Sequence, residues 1–314
     1  MLLTGTFLDE ISHDIPSQNW SAAEWERDFR TMQSVGIDTV ILIRCGHKRW
    51  MTYPSEVLAA ECDGFKPPAD LVRMFLDLSQ ECGMSFYFGT YDSGRYWHAG
   101  EHQRELDISH RVVDEAWRRY GDCPAFRGWY LSLEISRANR QVAELYARLA
   151  AHCREVSGGL PVLISPYIAG VKAVHAFDSS IRSREGISAR EHEREWDEVM
   201  GCIAGSVDIV AFQDGHVDFE ALPQFLEVNR SLAERHGLRC WTNSETFDRD
   251  MPIKFLPIKW EKLLLKLQAA ERAGVQKAIT FEFAHFLSPH SCYAQAHGLF
   301  ARYCEHFGLT PPQK

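Results

Sequence analysis

Apolar positions along this chain follow two alternating periods. Runs spaced by three and four residues, as on an amphipathic helix, end at a glycine and lead within a few residues into a short, continuous apolar run of strand type. This succession occurs seven times, in VGIDTVILIR, CGMSFYFGTY, YGDCPAFRGWYLSLE, SGGLPVLIS, AGSVDIVAFQD, HGLRCWTNSE and AGVQKAITFEF. A glycine just past a helix can take the left-handed conformation, so each one reads as a stop. Adding the opening run LLTGTF predicts eight strands.

The segments between them carry helix signatures. Ser21-Ala22-Ala23-Glu24 has the form of a capping box, with Trp25, Phe29 and Met32 following on one face. A helix over 69–82 opens after Pro67-Pro68 and groups Leu71, Met74, Phe75 and Leu78. Later stripes are Val142, Leu145, Tyr146 and Leu149; Trp196, Val199, Met200 and Ile203; and Trp260, Leu263, Leu264 and Leu267. Strands separated by helices pair in parallel through right-handed crossovers, and eight such units in 314 residues predict one α/β domain over 1–314, a single (β/α)8 TIM barrel. A doubly wound open sheet is the rival, but no glycine-rich phosphate fingerprint follows the first strand.

Composition narrows the partners. A formal charge of −9 argues against nucleic acid, which is held through clustered Lys and Arg. No apolar run approaches the ~20 residues of a membrane span, and MLLTGTFLDEIS lacks a basic, apolar leader, so no membrane partner is expected and the chain as it stands reads as cytoplasmic. A removed leader would leave no trace. The nine cysteines are scattered singly with no C-x-x-C, which fits reduced, mostly buried thiols rather than a metal site, and no cofactor motif is present.

In a barrel the active site lies at the carboxyl ends of the strands, so polar residues there carry the chemistry. Reading outward gives Asp9-Glu10, Arg44, Tyr91-Asp92, Glu134, Ser165 with Tyr167, Gln213-Asp214, Asn243 with Glu245, and Glu282 with His285. Glu134 and Glu245 stand out, because each follows an apolar, aromatic run where a carboxylate is expensive to place. Carboxylates on strands four and seven converge over the barrel mouth, as glycoside hydrolysis requires: one protonates the leaving oxygen, the other attacks the anomeric carbon or activates water. Trp50, Tyr53, Tyr91, Tyr96, Trp97, Tyr167 and Phe247 follow strands rather than joining helical stripes, and Trp50, Tyr91, Trp97 and Tyr167 are expected to face a sugar ring. With Arg44, Asp92, Gln213, Asp214, Asn243, Glu282 and His285 they make the expected substrate-binding set. Of the histidines near strand ends (13, 47, 98, 216, 285 and 290), only His285 is retained, as a partner for Glu282 or a substrate contact. The Arg- and Glu-rich stretch Ile181 to Glu195 reads as a solvated loop and helix start, or as a lid.

The placement of Glu134 and Glu245 resembles clan-A retaining glycoside hydrolases, and the strings GWYLSLEIS, TNSETFD and TFEFAHFLSP look like a bacterial family of glycosidase-like barrels known as a domain of unknown function. The resemblance spans most of the chain. It implies a carbohydrate-active enzyme with Glu134 as acid/base and Glu245 as nucleophile. One departure is Leu133, where the clan usually carries an asparagine for the sugar 2-hydroxyl; Asn243 or Gln213 is the expected substitute. Glu282 adds a third carboxylate that could bind hydroxyls, raise a neighbour's pKa or join the chemistry. Two other functions fit the same residues: a metal-dependent sugar isomerase, epimerase or hydrolase using Glu134, Asp214, Glu245, Glu282 and His285 as ligands, and a carbohydrate-binding barrel without turnover.

Overall fold

A computed structural model describes residues 1–12, 15–170, 186–249 and 255–310. Eight strands, β1 (Leu3–Leu8), β2 (Thr39–Leu42), β3 (Ser85–Gly89), β4 (Phe126–Leu131), β5 (Val162–Ile164), β6 (Ile209–Gln213), β7 (Arg239–Asn243) and β8 (Lys277–Thr280), form a closed barrel in which each pairs with its neighbours in chain order. All pairings are parallel, and Thr6 of β1 lies beside Val40 on one side and Thr280 on the other, closing the ring. The strands expected from the glycine-stop pattern are these eight.

Alternation along the strands separates two cores. Phe7, Ile41, Tyr87, Tyr130, Trp241 and Ile279 point inward and fill the barrel. Their sequence neighbours, such as Trp129 beside Tyr130, point outward to the helices. Gly128 makes room for the inward Tyr87, since a Cβ there would fall 2.3 Å from its ring.

The surrounding helices are α1 (Ala22–Ser34), α2 (Leu71–Glu81), α3 (His102–Tyr120), α4 (Arg140–Val156), α5 (Ala189–Ile203), α6 (Leu222–Arg235), α7 (Trp260–Arg272) and α8 (Ala294–Phe307). The capping box at α1 is present, with the Ser21 N–H donating to Glu24 at 2.8 Å. The expected helix over 69–82 begins two residues later, because the Asp70 side chain caps it by accepting from Arg73 N at 2.9 Å. Its buried residues are Val72, Phe75, Leu76, Leu78 and Ser79, so Phe75 and Leu78 reach the core as expected while Leu71 and Met74 flank it. In α7 the buried row is Leu263, Lys266, Leu267 and Ala270, which brings a lysine inside and leaves Trp260 and Leu264 at the margin. Of the seven glycine stops, only Gly121 departs from a positive φ. It ends α3 in a right-handed conformation, and a Cβ there would press on Trp117.

Above β2 and β3 lies a small sheet that sequence reasoning did not anticipate: Gly46–His47 pairs antiparallel with Trp50–Met51 and parallel with Tyr91–Asp92. Gly46, Met51 and Tyr91 align on one face, and His47, Trp50 and Asp92 on the other. The first face packs on Leu58 and the core. A second short pairing, Phe247–Asp248 with Leu256–Pro257, follows β7. Of the Ile181 to Glu195 stretch, residues 181–185 lie outside the described residues, and α5 begins at Ala189 behind the Ser188 cap.

Candidate active site

The carboxyl ends of the strands enclose a cleft of about 240 Å³, lined among others by Arg44, Asp92, Trp97, Glu134, Tyr167, Gln213, Glu245, Phe247, Arg249 and Phe281. Both glutamates singled out from sequence open into this one cleft, from β4 and β7.

Glu134 sits in a ring of neutral donors. Its Oε1 accepts from the Tyr130 hydroxyl at 2.8 Å and from Gln213 Nε2 at 3.0 Å, and its Oε2 accepts from the Tyr167 hydroxyl at 2.9 Å. The nearest cation, Arg44, lies 4.0 Å from Oε2 and shares its charge with Asp92 at 3.7 Å. Burial outweighs these contacts, and the Glu134 carboxyl titrates above its ordinary range.

Glu245 is set differently. Burial again works to raise it, but Arg249, four residues on, grips both oxygens, with Nε to Oε2 at 2.9 Å and Nη2 to Oε1 at 2.8 Å. Lys266 and His216 add positive charge, and the net displacement is downward. The peptide carrying Glu245 is held at both polar groups. Its N–H donates to Asp214 Oδ1 at 3.1 Å, and its carbonyl accepts from Lys266 Nζ at 3.0 Å. Lys266 also donates to Asp214 Oδ1 at 2.7 Å, with both side chains essentially inaccessible. Gly215 packs directly on the carboxylate, since a Cβ there would fall 1.7 Å from Oε2.

Asp92 and Trp97 line the same cleft, joined by Trp97 Nε1 donating to Asp92 Oδ1 at 2.9 Å. Burial tends to raise Asp92, but hydrogen bonding with His47, the Arg44 charge and the Trp97 donor hold it at about 2. The next residue back, Tyr91, was expected in the cleft and is not; alternation turns it to the core face, where its hydroxyl donates to the Lys48 carbonyl at 2.9 Å. Trp50 is exposed and also lies outside the cleft lining. Asp214 sits beneath Glu245, paired to Lys266. Asn243 is buried beside Ser165, to which its amide donates at 3.3 Å. Of the two residues expected to stand in for the clan's asparagine, Gln213 therefore lines the cleft and Asn243 does not.

Glu282 and His285 form a separate buried pair. Glu282 Oε1 accepts from the His285 backbone N–H at 2.7 Å and hydrogen-bonds its Nδ1, while Nε2 meets the Pro16 carbonyl at 2.6 Å. Burial opposes protonation of His285, yet the adjoining carboxylate lifts it to about 9, so the two form an ion pair behind the cleft wall. Neither lines the cleft. The five ligands weighed for a metal are thus divided, and among the described residues no three His, Cys, Asp or Glu side chains are grouped as a metal site needs. His13 lies outside the described residues; His98 lines the cleft, stacked on Trp97.

Arg249, Lys266, Ser132, Phe281 and Gly215 were not anticipated. Lys266 carried a signal in falling on the row of α7 shared by Leu263, Leu267 and Ala270; Arg249 carried none, since the segment from Glu245 to Arg249 is not helical and a spacing of four pairs side chains only on a helix.

Among the described residues, no helix is long and apolar enough to cross a membrane. No curated protein sequence matches the chain. A crystal structure from Bacteroides thetaiotaomicron, of a protein named only provisionally as an α-L-fucosidase, is 50% identical, with a TM-score of 0.94 over 98% of this chain and 96% of that one. More distant likenesses show the fold: a β-galactosidase from a psychrophilic Marinomonas (14% identical, TM-score 0.58, 99% of this chain and 61% of that one) and an intracellular xylanase from Thermoanaerobacterium saccharolyticum (10%, 0.51, 89% and 85%). The family model described as domain of unknown function DUF4434 matches residues 3–293, and with the 50% identical relative it places this chain in that family.

Proposed function

We propose that this protein is a retaining glycoside hydrolase in which Glu134 is the general acid/base and Glu245 the nucleophile. The observation that carries this reading is the contrast between two glutamates in one cleft: Glu134 is pushed up by burial among neutral donors, and Glu245 is held down by a bidentate arginine. The opposite directions suit one group to give a proton and the other to act as an anion, the division of labour that glycoside cleavage needs.

The steps follow from those states. The Glu134 carboxylic acid gives its proton to the glycosidic oxygen while a Glu245 oxygen attacks the anomeric carbon, and the leaving sugar departs as an alcohol. Water then attacks the same carbon, Glu134 takes its proton, and the Glu245 carboxylate is released. Arg249 keeps Glu245 ionised between turnovers. Gln213 is placed to meet a sugar hydroxyl beside Glu134, the task that Leu133 cannot perform. Trp97 and Phe247 offer flat apolar surface to a pyranose ring.

The test is a panel of 4-nitrophenyl glycosides that includes α-L-fucoside, β-galactoside, β-xyloside and β-glucuronide, the sugar chemistries named among its structural neighbours. Glu134→Gln and Glu245→Gln should each lower kcat/KM by at least about a thousandfold with unchanged circular dichroism, since each removes a group acting at the reacting atoms. A 2-deoxy-2-fluoro glycoside of the cleaved sugar should leave a covalent adduct on the Glu245 peptide. Activity retained in both variants would end the proposal, and an adduct-free enzyme forming inverted product would replace retention with inversion.

A further inference from the structure

The two faces of the small sheet above β2 and β3 have different destinations. Its core face carries Gly46, Met51 and Tyr91. Its other face carries Asp92, then His47, then Trp50, each directly opposite the next across the ladder. Cross-strand partners project to the same side, so Trp50 stands on the face whose far end, Asp92, lines the cleft. Adjacent strands are about 4.8 Å apart, which puts the Trp50 backbone roughly 10 Å from that of Asp92.

Trp50 is 61% exposed, and Phe65 beside it is 45% exposed. Both are held in place: their rings meet at 5.0 Å between centroids, their backbones form a bridge, and the Arg49 guanidinium lies 4.1 Å over the Phe65 ring. Arg49 is itself engaged by Asp63 at 2.6 Å, so its charge is already matched by a carboxylate. Among the described residues, the only other large exposed apolar side chain, Leu265, is on α7. A single ring pair is far smaller than the ~800 Å² per partner of a stable protein interface. Its size and flatness suit the C–H face of one sugar ring, and its rigidity lowers the entropy lost on binding.

We propose that Trp50, seated on Phe65, is an outlying platform for a neutral sugar unit of a glycan chain whose other end occupies the cleft. The span from Asp92 is one that a short oligosaccharide covers and a monosaccharide does not. This rests on the glycosidase reading for what fills the cleft, and it makes the substrate a chain rather than a single capped sugar.

Affinity electrophoresis in gels containing soluble arabinoxylan, galactan or fucosylated xyloglucan tests it without turnover, using Glu134→Gln as the parent. At least one polysaccharide should retard the parent. Adding Trp50→Ala should weaken that apparent affinity about tenfold, as expected for a lost ring-on-ring contact, and Trp50→Phe should keep most of it. Equal retardation with Trp50→Ala, no retardation in any gel, or Trp50-dependent self-association in sedimentation would each overturn the platform. The two readings fail separately. Trp50-dependent retardation with no glycoside hydrolysed removes the hydrolase and leaves the platform; hydrolysis with Trp50-independent retardation does the reverse.

Discussion

Replacing Lys266 with methionine tests whether the support behind Glu245 has the consequence its geometry implies. Lys266 and Asp214 are 2% and 1% exposed and 2.7 Å apart, so neither has water to fall back on. Methionine fills much the same volume, which makes the perturbation electrostatic rather than a cavity. Breaking a buried pair from one side costs about 3–5 kcal/mol, because the remaining charge is stranded. The Glu245 carbonyl loses its donor as well. For a chain of this length the unfolding entropy implies a fall of about 1.5 °C per kcal/mol, hence a Tm lower by about 5–8 °C. Asp214 is already raised by burial, with Lys266 opposing; without the lysine it rises further. An acid raised in the folded state contributes fully below its unfolded pKa and loses that contribution as pH climbs through the folded one. The deficit of Lys266→Met should therefore be smallest near pH 4–5 and grow toward pH 8, and Lys266→Met/Asp214→Asn should recover much of it. Urea titrations at several pH values measure this. A loss below about 1 kcal/mol at pH 8, or one independent of pH, would refute the reasoning. On the glycosidase reading kcat should also fall, by up to about a hundredfold if the carboxylate shifts by an ångström.

Three further outcomes follow from the same structure. Activity should be bell-shaped in pH, falling in acid as Glu245 protonates below its ordinary range and in alkali as Glu134 ionises above its own; Tyr167→Phe removes a donor that favours the Glu134 anion, so the alkaline limb of kcat/KM should move to higher pH, and a shift to lower pH contradicts the assignment. Gly215→Ala places a methyl group where Glu245 Oε2 now lies, so kcat should drop at least about tenfold and Tm by about 2–5 °C for an overpacking cost of about 1–3 kcal/mol, and normal kcat would mean that the carboxylate is not held there. Asp28, fully buried and pushed up to about 7 by desolvation, contributes fully below 3.8 and loses that contribution as pH rises through 7; Asp28→Asn should gain up to about 4 kcal/mol over wild type between pH 4 and pH 8 in urea titrations, and parallel stability curves would contradict it.

The barrel was legible because its signals are local. A glycine stop and a change of apolar period need only neighbouring residues, and positive φ at Gly36, Gly83, Gly158, Gly205, Gly237 and Gly274 reflects that mechanism. Gly121 looks the same in sequence but serves a different end, clearance of Trp117, which only packing reveals. The site was legible to the extent that position along a strand decides direction. Glu134, Asp92 and Gln213 reach the cleft, whereas Tyr91 and Asn243 are turned aside within the same segments. Tyr91 could have been assigned by counting one residue from Asp92, had the small sheet been foreseen. It was not, because strands of two residues leave no periodicity. Glu282 and His285 were misplaced for another reason: both follow β8, but the chain enters the short helix Phe283–Phe286 at once, and Glu282 turns back as its cap.

The assignment of roles to the two glutamates does not depend on the clan resemblance, and the missing asparagine at 133 does not disturb it. Desolvation is the largest influence on both carboxyls and acts in the same direction. The difference lies in how each is paired. Arg249 gives Glu245 two hydrogen-bonded contacts at 2.8 and 2.9 Å, while Arg44 stands 4.0 Å from Glu134 and divides its charge with Asp92. A bidentate pair is both closer and directional, so it offsets the burial cost that a shared, unbonded cation cannot. The three donors around Glu134, two tyrosines and a glutamine amide, are neutral, so they orient the carboxyl without holding it ionised as a cation would. Exchanging the roles would require moving an arginine from one side of the cleft to the other. On the proposed glycosidase reading, Arg249, absent from the residues that sequence pointed to, therefore distinguishes nucleophile from acid more firmly than either glutamate's position at its strand end.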